Sequence, residues 1–266
     1  MTAWFRVMTY NVRYDNPDDG EHRWEYRREA VANTIRFREP ALLGLQEPLG
    51  HQLDYLKRHL PDYEWVGRPR VDGDEEGEYS PIGFDEKRFA LEETDTFWLS
   101  ETPEEPGSIG WDARHPRIVT WARLRDRRSD DTFVHANTHF SHDGPEARRE
   151  SARLLRQRLD EITDDDPALV TGDFNCVAGE PPHDTIVDPD AGERTFQNAR
   201  ELSEHGHYGP PTSVTDFEHL VPNRKIDHVF VAEDIEVRQH GVCTDLYAED
   251  RYPSDHFPVL GQVRIE

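Results

Sequence analysis

Lysine is nearly missing from this chain of 266 residues. It occurs only as Lys57, Lys87 and Lys225, and arginine supplies the rest of the positive charge. Cysteine is scarcer still: Cys176 and Cys243 make neither a disulfide framework nor a metal-spaced pair, so both read as small packing residues. No apolar run approaches the ~20 residues that span a bilayer. Met1-Thr2-Ala3-Trp4 leads straight into a strand, without the basic start and apolar core of a signal peptide. A soluble, cytoplasmic protein is the expectation. A basic face is lacking too: 31 Lys and Arg stand against 55 Asp and Glu, a formal charge of -24. That balance argues against a broad electropositive groove for nucleic acid. The acids are dispersed, which excludes a disordered acidic tail. Such acidity, with so little lysine, resembles adaptation to a salt-rich cytosol; at about 1 M salt the Debye length of ~3 Å screens the self-repulsion.

What is present is a regular alternation of short apolar runs and helical patterns, long enough for one domain over 1–266 with a sizeable core. The stretch Ala168-Leu169-Val170-Thr171-Gly172-Asp173-Phe174-Asn175 organises it. A buried-type strand delivers a carboxylate and a carboxamide two residues apart. On a continuing strand, Asp173 and Asn175 face one pocket together while Phe174 packs. Alone, such a stretch is a polar turn capping a strand.

Similar endings recur along the chain. The Trp4–Val12 strand ends at Asn11, an amide suited to a turn or to a phosphate oxygen or metal-bound water. Ala41–Gln46 ends in Glu47, a candidate ligand for a hard cation such as Mg²⁺. Thr132–Phe140 ends in Asn137-Thr138-His139-Phe140, where a histidine can stabilise phosphate charge or protonate a leaving oxygen. Helices are expected over 24–37, 51–60, 145–162 and 196–205, with a further helical turn over 181–187. In 145–162, Pro145 stands near the start, Ala152, Leu155, Leu159 and Ile162 form one stripe, and Arg148 and Arg149 lie nearest the His139 loop. Residues 88–99 read as a strand pair turning near Glu92-Glu93. The Pro/Gly-rich 100–115, with Trp111-Asp112, is long for an idle connection. Strands at 224–231 and 235–244 place Lys225, Asp227 and Val229 on one side, and Ser254-Asp255-His256-Phe257 precedes the last strand.

Asn11 in TYNVR, Glu47 in LQE, His139 in NTHF, Asp173 and Asn175 in TGDFN, Asp227 in KIDHVFV, and Asp255-His256 in SDHFPV follow one another in order. Together they resemble the endonuclease/exonuclease/phosphatase, DNase I-like superfamily, from Val7 to Val263. GEYSPI, WDARHPRIVTWA and RYPSDHFPV further resemble its small stand-alone members, nearest the nocturnin-like deadenylase branch, and the acidity points to a halophilic archaeal source. The resemblance implies an α/β fold: a four-layered sandwich of two mixed β-sheets packed face to face with helices outside.

It also implies a Mg²⁺-dependent phosphoesterase, with Mn²⁺ as substitute. Glu47 would hold the ion, with Asn11 nearby and Asp255 as a further ligand. His256, oriented by Asp227, would take a proton from water, with Asp173 the alternative base. Asn175 would position the phosphate or nucleophile, and His139 would donate to a phosphoryl oxygen. The expected substrate is a phosphoester of a small molecule, nucleotide or lipid headgroup, acted on by a monomer. A nuclease and a non-catalytic binding module on the same scaffold are the alternatives. Gly83-Phe84-Asp85 departs from the family's aromatic pair and Arg, which puts the usual substrate contacts there in doubt. Ser141-His142 replaces the common Asp-His, so His142 reads as a loop residue.

Overall fold

Short apolar runs with few interior polar residues become paired strands, and the 3.6-period stretches become helices that cover them. The computed structural model describes residues 3–266. In order, the elements are β1 (Phe5–Asn11), α1 (Trp24–Arg38), β2 (Leu42–Gln46), α2 (Gly50–His59), β3 (Tyr63–Val66), β4 (Ile82–Asp85) and β5 (Phe89–Trp98). There follow β6 (Ile118–Asp126), β7 (Thr132–His139), α3 (Pro145–Thr163), β8 (Ala168–Asp173), α4 (Pro181–Val187), β9 (Phe196–Asn198) and α5 (Ala199–Leu202). The chain closes with β10 (His207–Tyr208), β11 (Asp227–Ala232), β12 (Ile235–Val242) and β13 (Val259–Ile265).

The strands form two mixed sheets. One has seven strands in the order β10-β12-β13-β1-β2-β4-β3, the other six in the order β5-β6-β7-β8-β11-β9. Phe5, Val7 and Phe84 of the first meet Phe89, Phe133, Leu169 and Val229 of the second in a shared core. The outer face of the seven-stranded sheet packs Met8, Leu43 and Leu45 against Val31 and Ile35 of α1 and Leu56 of α2. The outer face of the other buries Val134, Ala136 and Val170 under Ala152, Leu155 and Leu159 of α3 and Ile186 of α4. The result is the expected four-layered α/β sandwich.

Local chemistry explains the boundaries. α1 ends where Glu39 turns left-handed (φ 46) just before Pro40, which disfavours a helical residue ahead of it. α3 starts with Pro145 at its first turn, and Asp112 Oδ1 accepts from Ala147 N at 2.7 Å, so the 100–115 loop caps the helix from a distance. Arg148 reaches back to the Ser141 carbonyl at 2.9 Å.

Two expected elements differ. Residues 88–99 are one strand: β5 pairs with β6 along its whole length and absorbs the Glu92-Glu93 irregularity as a bulge between Leu91 and Glu93. Residues 196–205 are not a helix, because Phe196–Asn198 adds an edge strand to β11 and only Ala199–Leu202 is helical. Burial of Phe196 outweighs the helical composition of residues 199–205.

Below the strand ends, the sheets are joined by a polar seam. Asn137 Nδ2 donates to the Leu45 and Pro81 carbonyls at 2.7 and 3.0 Å. Its Oδ1 accepts from Gln46 Nε2 at 2.7 Å and Thr171 Oγ1 at 3.0 Å. Gln46 Nε2 also reaches Thr9 Oγ1 at 3.0 Å. A methyl group on Gly44 would collide with Thr171 Oγ1 and Asn137 Oδ1. Gly44→Ala is therefore expected to lower the unfolding free energy by about 1–3 kcal/mol in chemical denaturation. Gly50→Ala, with open space around its new methyl, leaves stability level or higher. Equal stabilities for the two variants would refute the close approach.

Candidate active site

The register of the six-stranded sheet builds one wall of the site. His139 on β7 stands opposite Asp173 on β8, and Asp227 on β11 stands opposite the same Asp173. Three side chains at one level of neighbouring strands share a face. From the other sheet, β1 ends in Asn11, which pairs with Gln46, so Glu47 follows at the same sheet end. Glu47 (φ 72) and Asn175 (φ 48) are both left-handed non-glycine residues. Such backbone strain gathers at functional sites.

Most contacts converge on one atom, Asp173 Oδ2. Asn11 Nδ2 donates to it at 3.1 Å, His139 Nε2 lies at 3.4 Å and His256 Nε2 at 3.8 Å. The same Asn11 nitrogen donates to Glu47 Oε1 at 2.9 Å, and Tyr14 N donates to Glu47 Oε2 at 3.0 Å. His256 Nδ1 is 2.9 Å from Asp227 Oδ2. On the far side, His139 Nδ1 stands 4.0 Å from Glu78 Oε2, and Arg70 Nη2 holds Glu78 Oε1 at 2.7 Å. Two carboxylate–imidazole pairs, one tight and one loose, thus flank a single carboxylate.

The charge states follow from these neighbours. Burial, with Asp227 adding to it, pushes Asp173 up to about 7. Burial works against a charged His256, but Asp227 and Asp173 outweigh it and hold the imidazole well above its ordinary value. His139 moves the other way: burial, then Arg117 and Arg70, hold it well below that value. Burial also resists charge on Glu47, yet the hydrogen bonds from Asn11 and Tyr14 N keep its carboxyl below the usual range. Glu78 is pushed up to about 7 by burial and by Glu47.

Of the residues expected from the sequence, Asn11, Glu47, His139, Asp173, Asp227 and His256 meet in this one network. Asn11 Oδ1 accepts from Arg13 N at 3.0 Å, and its nitrogen faces the acids, so the amide bridges Glu47 and Asp173. Asn175 does not continue the strand, which ends at Asp173. Asn175 N donates to Asp173 Oδ1 at 2.9 Å, while Nδ2 donates to the Phe140 carbonyl at 3.1 Å. Asp255 sits at the rim, its carboxylate 23% exposed and 3.5 Å from Arg13 Nη1.

Glu78, Arg70 and Arg117 join the site although no sequence pattern marks them. Arg117 is 5% exposed, yet its Nε and Nη1 have no hydrogen-bond partner; Nη2 meets His142 Nδ1 at 2.9 Å. Burial and the neighbouring Arg70 lower it to about 10. These three lie on loops, where no strand-end pattern points to them. The available cue is the placement of Glu78 and Arg117 within GEYSPI and HPRIVTWA.

The donor set suits a hard divalent cation. Five carboxylates (Glu47, Glu78, Asp173, Asp227 and Asp255) share the cleft, with Glu47 half-buried and held ionised. Asp173, Asp227 and His256 also bring one donor atom each within 4.8 Å of one another. There Asp227 Oδ2 is engaged with His256 Nδ1 while its buried Oδ1 has no hydrogen-bond partner; Glu47, whose two oxygens accept from Asn11 Nδ2 and Tyr14 N, is a second carboxylate suited to such an ion.

A two-sheet α/β sandwich with carboxylates, amides and histidines gathered at one end of both sheets defines a DNase I-like protein. The Endonuclease/Exonuclease/phosphatase family model matches residues 8–256, and the chain belongs to that family, whose members are hydrolases of phosphoester bonds and typically use divalent metals. It is similar to an endonuclease/exonuclease/phosphatase from Bacteroides vulgatus, 34% identical, TM-score 0.92, covering 100% of both chains. A mannosyl-6-phosphatase from Bacteroides thetaiotaomicron is 32% identical, TM-score 0.90, over 98% of this chain and 100% of that one. The human nocturnin catalytic domain, 22% identical with TM-score 0.76 over 99% and 94%, shares the fold. An uncharacterised mimivirus protein is 26% identical over 250 residues, 90% of this chain and 91% of its own length. No helix among the described residues is long and apolar enough to cross a membrane.

Asp173 and Glu78 hold protons up to about 7 when folded but only to about 4 when unfolded. Their contribution to stability is full below about pH 4 and lost as pH rises through 7. Between pH 5.5 and 7.5 the buried neutral histidines His135, His139, His228 and His240 act in the opposite sense, so the acids are read by difference. Asp173→Asn and Glu78→Gln should each make the melting temperature of metal-free protein rise more, or fall less, over that interval than in the wild type. An unchanged slope in both variants would show that neither acid carries the shift.

Proposed function

We propose that the chain is a divalent-metal-dependent phosphoester hydrolase, and that a sugar phosphomonoester is its substrate class. The observation that carries the chemistry is the convergence of Asn11, His139 and His256 on Asp173 Oδ2. The similarity to a mannosyl-6-phosphatase supports the substrate class, and the net charge of -24 opposes a polyanionic nucleic acid.

Asp173, titrating near neutrality, accepts the proton of the attacking water, and Asn11 and Asn175 N fix its two oxygens. His256, kept cationic by Asp227, faces the charge that develops on the phosphoryl group. It is therefore a stabiliser and proton donor more than a base. Neutral His139 donates a hydrogen bond, and the free N–H groups of Arg117 bind the non-reacting phosphoryl oxygens. Mg²⁺ or Mn²⁺, held by Glu47 with Asp255 alongside, would supply Lewis-acid charge to the phosphoryl oxygens. We read the protein as a cytoplasmic monomer that works in high salt.

The test is turnover at high salt with Mg²⁺ or Mn²⁺ on hexose 6-phosphates, bis-p-nitrophenyl phosphate, NADP, plasmid DNA, abasic oligonucleotide and poly(A) RNA. The sugar monoesters should be hydrolysed fastest. Faster cleavage of DNA or RNA would make the protein a nuclease, and no metal-dependent turnover of any of these would favour a binding module. Asp173→Asn and His256→Ala should each lower kcat at least ~10²-fold, whereas Arg117→Gln should act mainly on KM. Wild-type turnover in either of the first two removes that residue from the scheme.

A further inference from the structure

A second cavity lies one strand outward from Asp227, between α5 and the loops that precede β11 and follow β8. Its volume is about 180 Å³, and its walls include Lys225, His228, Asn198, Arg200, Asn223 and Glu201. That is roughly six waters' share of liquid volume, and below the ~300 Å³ at which pockets for drug-sized ligands begin. It can take a small ion with a few waters and nothing larger.

The walls are positive in a chain that is strongly negative overall. Lys225 is 5% exposed, and its ammonium makes a single hydrogen bond, to the Asp227 carbonyl at 2.9 Å. Two of its three N–H donors are left over. Burial lowers the amine to about 7, although Asp227 favours its charge; Arg200 adds repulsion and Glu201 partly offsets it. Arg200 has no side-chain hydrogen bond or ion pair among the described residues. With 55 acids to 31 bases in the sequence, a buried amine with spare donors and a guanidinium without a partner on one cavity call for an explanation.

The neutral wall adds no counter-charge to that of Asp227. His228 Nδ1 accepts from Asn198 Nδ2 at 3.0 Å and its Nε2 donates to the Cys176 carbonyl at 2.9 Å, so the ring is a fixed, uncharged strut. Asn198 Oδ1 is taken by Arg200 N at 3.0 Å. The one nearby carboxylate on α5, Glu201, is exposed to solvent. A guanidinium fork beside an ammonium is the arrangement that binds oxyanions through charge-assisted hydrogen bonds.

We propose that this cavity is a binding site for a small inorganic anion, held between Lys225 and Arg200, separate from the site at Asp173. The site does not depend on the phosphoesterase reading. Because Lys225 also holds the carbonyl of Asp227, whose carboxylate orients His256, an occupant would steady the backbone at the start of β11.

Calorimetric titration of metal-free protein with inorganic phosphate, and separately with chloride, tests the proposal. At least one of the two should bind. Its affinity should fall about tenfold or more in Arg200→Gln and in Lys225→Met, as expected for losing one charge-assisted bond. It should be unchanged in Arg117→Gln, which alters the other site. Phosphate alone points to an oxyanion site, and chloride competing at the same site points to a general halide and oxyanion site; both uphold the proposal. Binding that is lost in Arg117→Gln but kept in Arg200→Gln overturns it, as does no binding of either anion to the wild type. Arg200 lies on the short α5 and is half-buried, so its variant reports on the cavity even where Lys225→Met fails to fold.

Discussion

The two sheets are locked to each other at one end by side-chain amides, and the geometry of the candidate site depends on that lock. Asn137 spans from β7 to the carbonyls of Leu45 and Pro81, Gln46 returns from β2 to Asn137, and Asn11 reaches from β1 to Asp173 on β8. Apolar layers alone tolerate sliding and repacking. An amide does not, because each buried donor or acceptor left without a partner costs about 1–3 kcal/mol. The apolar core therefore holds the sheets together, while the seam sets their registration. Gly44 is part of the same constraint, since any side chain there would occupy the space of the Thr171 and Asn137 oxygens.

On that frame, two histidines of the same chemical type are driven to opposite charge states. His256 has a carboxylate at 2.9 Å and a second at 3.8 Å, and it stays cationic against the cost of burial. His139 has carboxylates at 3.4 and 4.0 Å, neither within the 2.9 Å that Asp227 gives His256, and with Arg117 and Arg70 nearby it stays neutral. The difference lies in distance and neighbouring charge, not in burial, which is nearly complete for both. Asp173 stands between them and titrates near neutrality, as Glu78 does on the far side of His139. One group that holds a positive charge and one that takes a proton are thus set side by side by their surroundings.

Much of this is legible in the sequence because strand ends write themselves clearly. An apolar run that stops at a lone polar residue, as before Asn11, Glu47, His139 and Asp173, fixes both the strand and the end on which the polar group lies. The pairing of those ends across two sheets is not legible from periodicity and comes with the family resemblance. Sequence and structure part where a local signal competes with a distant one. The Glu92-Glu93 pair reads as a turn but is a bulge kept in line by β6. The segment after Phe196 reads as helix but is bound to the edge of β11. Within the site, composition does not say which end of the Asn11 amide faces the acids; in the structure the backbone N–H of Arg13 takes the oxygen and leaves the nitrogen toward them. Glu78, Arg70 and Arg117 escape a reading of the sequence because loop residues carry no period.

The preference for arginine over lysine also has a structural use beyond surface charge. Arg27 is fully buried without an acidic partner, and its guanidinium donates to five carbonyls: His22, Val12, Pro253, Arg13 and Tyr14. Those carbonyls belong to the loop after β1, the turn before α1 and the segment that leads into Asp255 and His256. An ammonium has three donors on a flexible stem and could not serve all of them; a planar fork with five donors can. Arg156, on α3 over the other sheet, does the same, binding the Ile186, Asp188 and Arg194 carbonyls. A buried cation satisfied by carbonyl dipoles needs no carboxylate partner beside it, so Arg27 can brace the loops around the site without bringing a further acid into the cleft. Glu47, Asp173 and Asp255 thereby keep a cleft whose charge is set by its own carboxylates and by the arginines and histidines beside them.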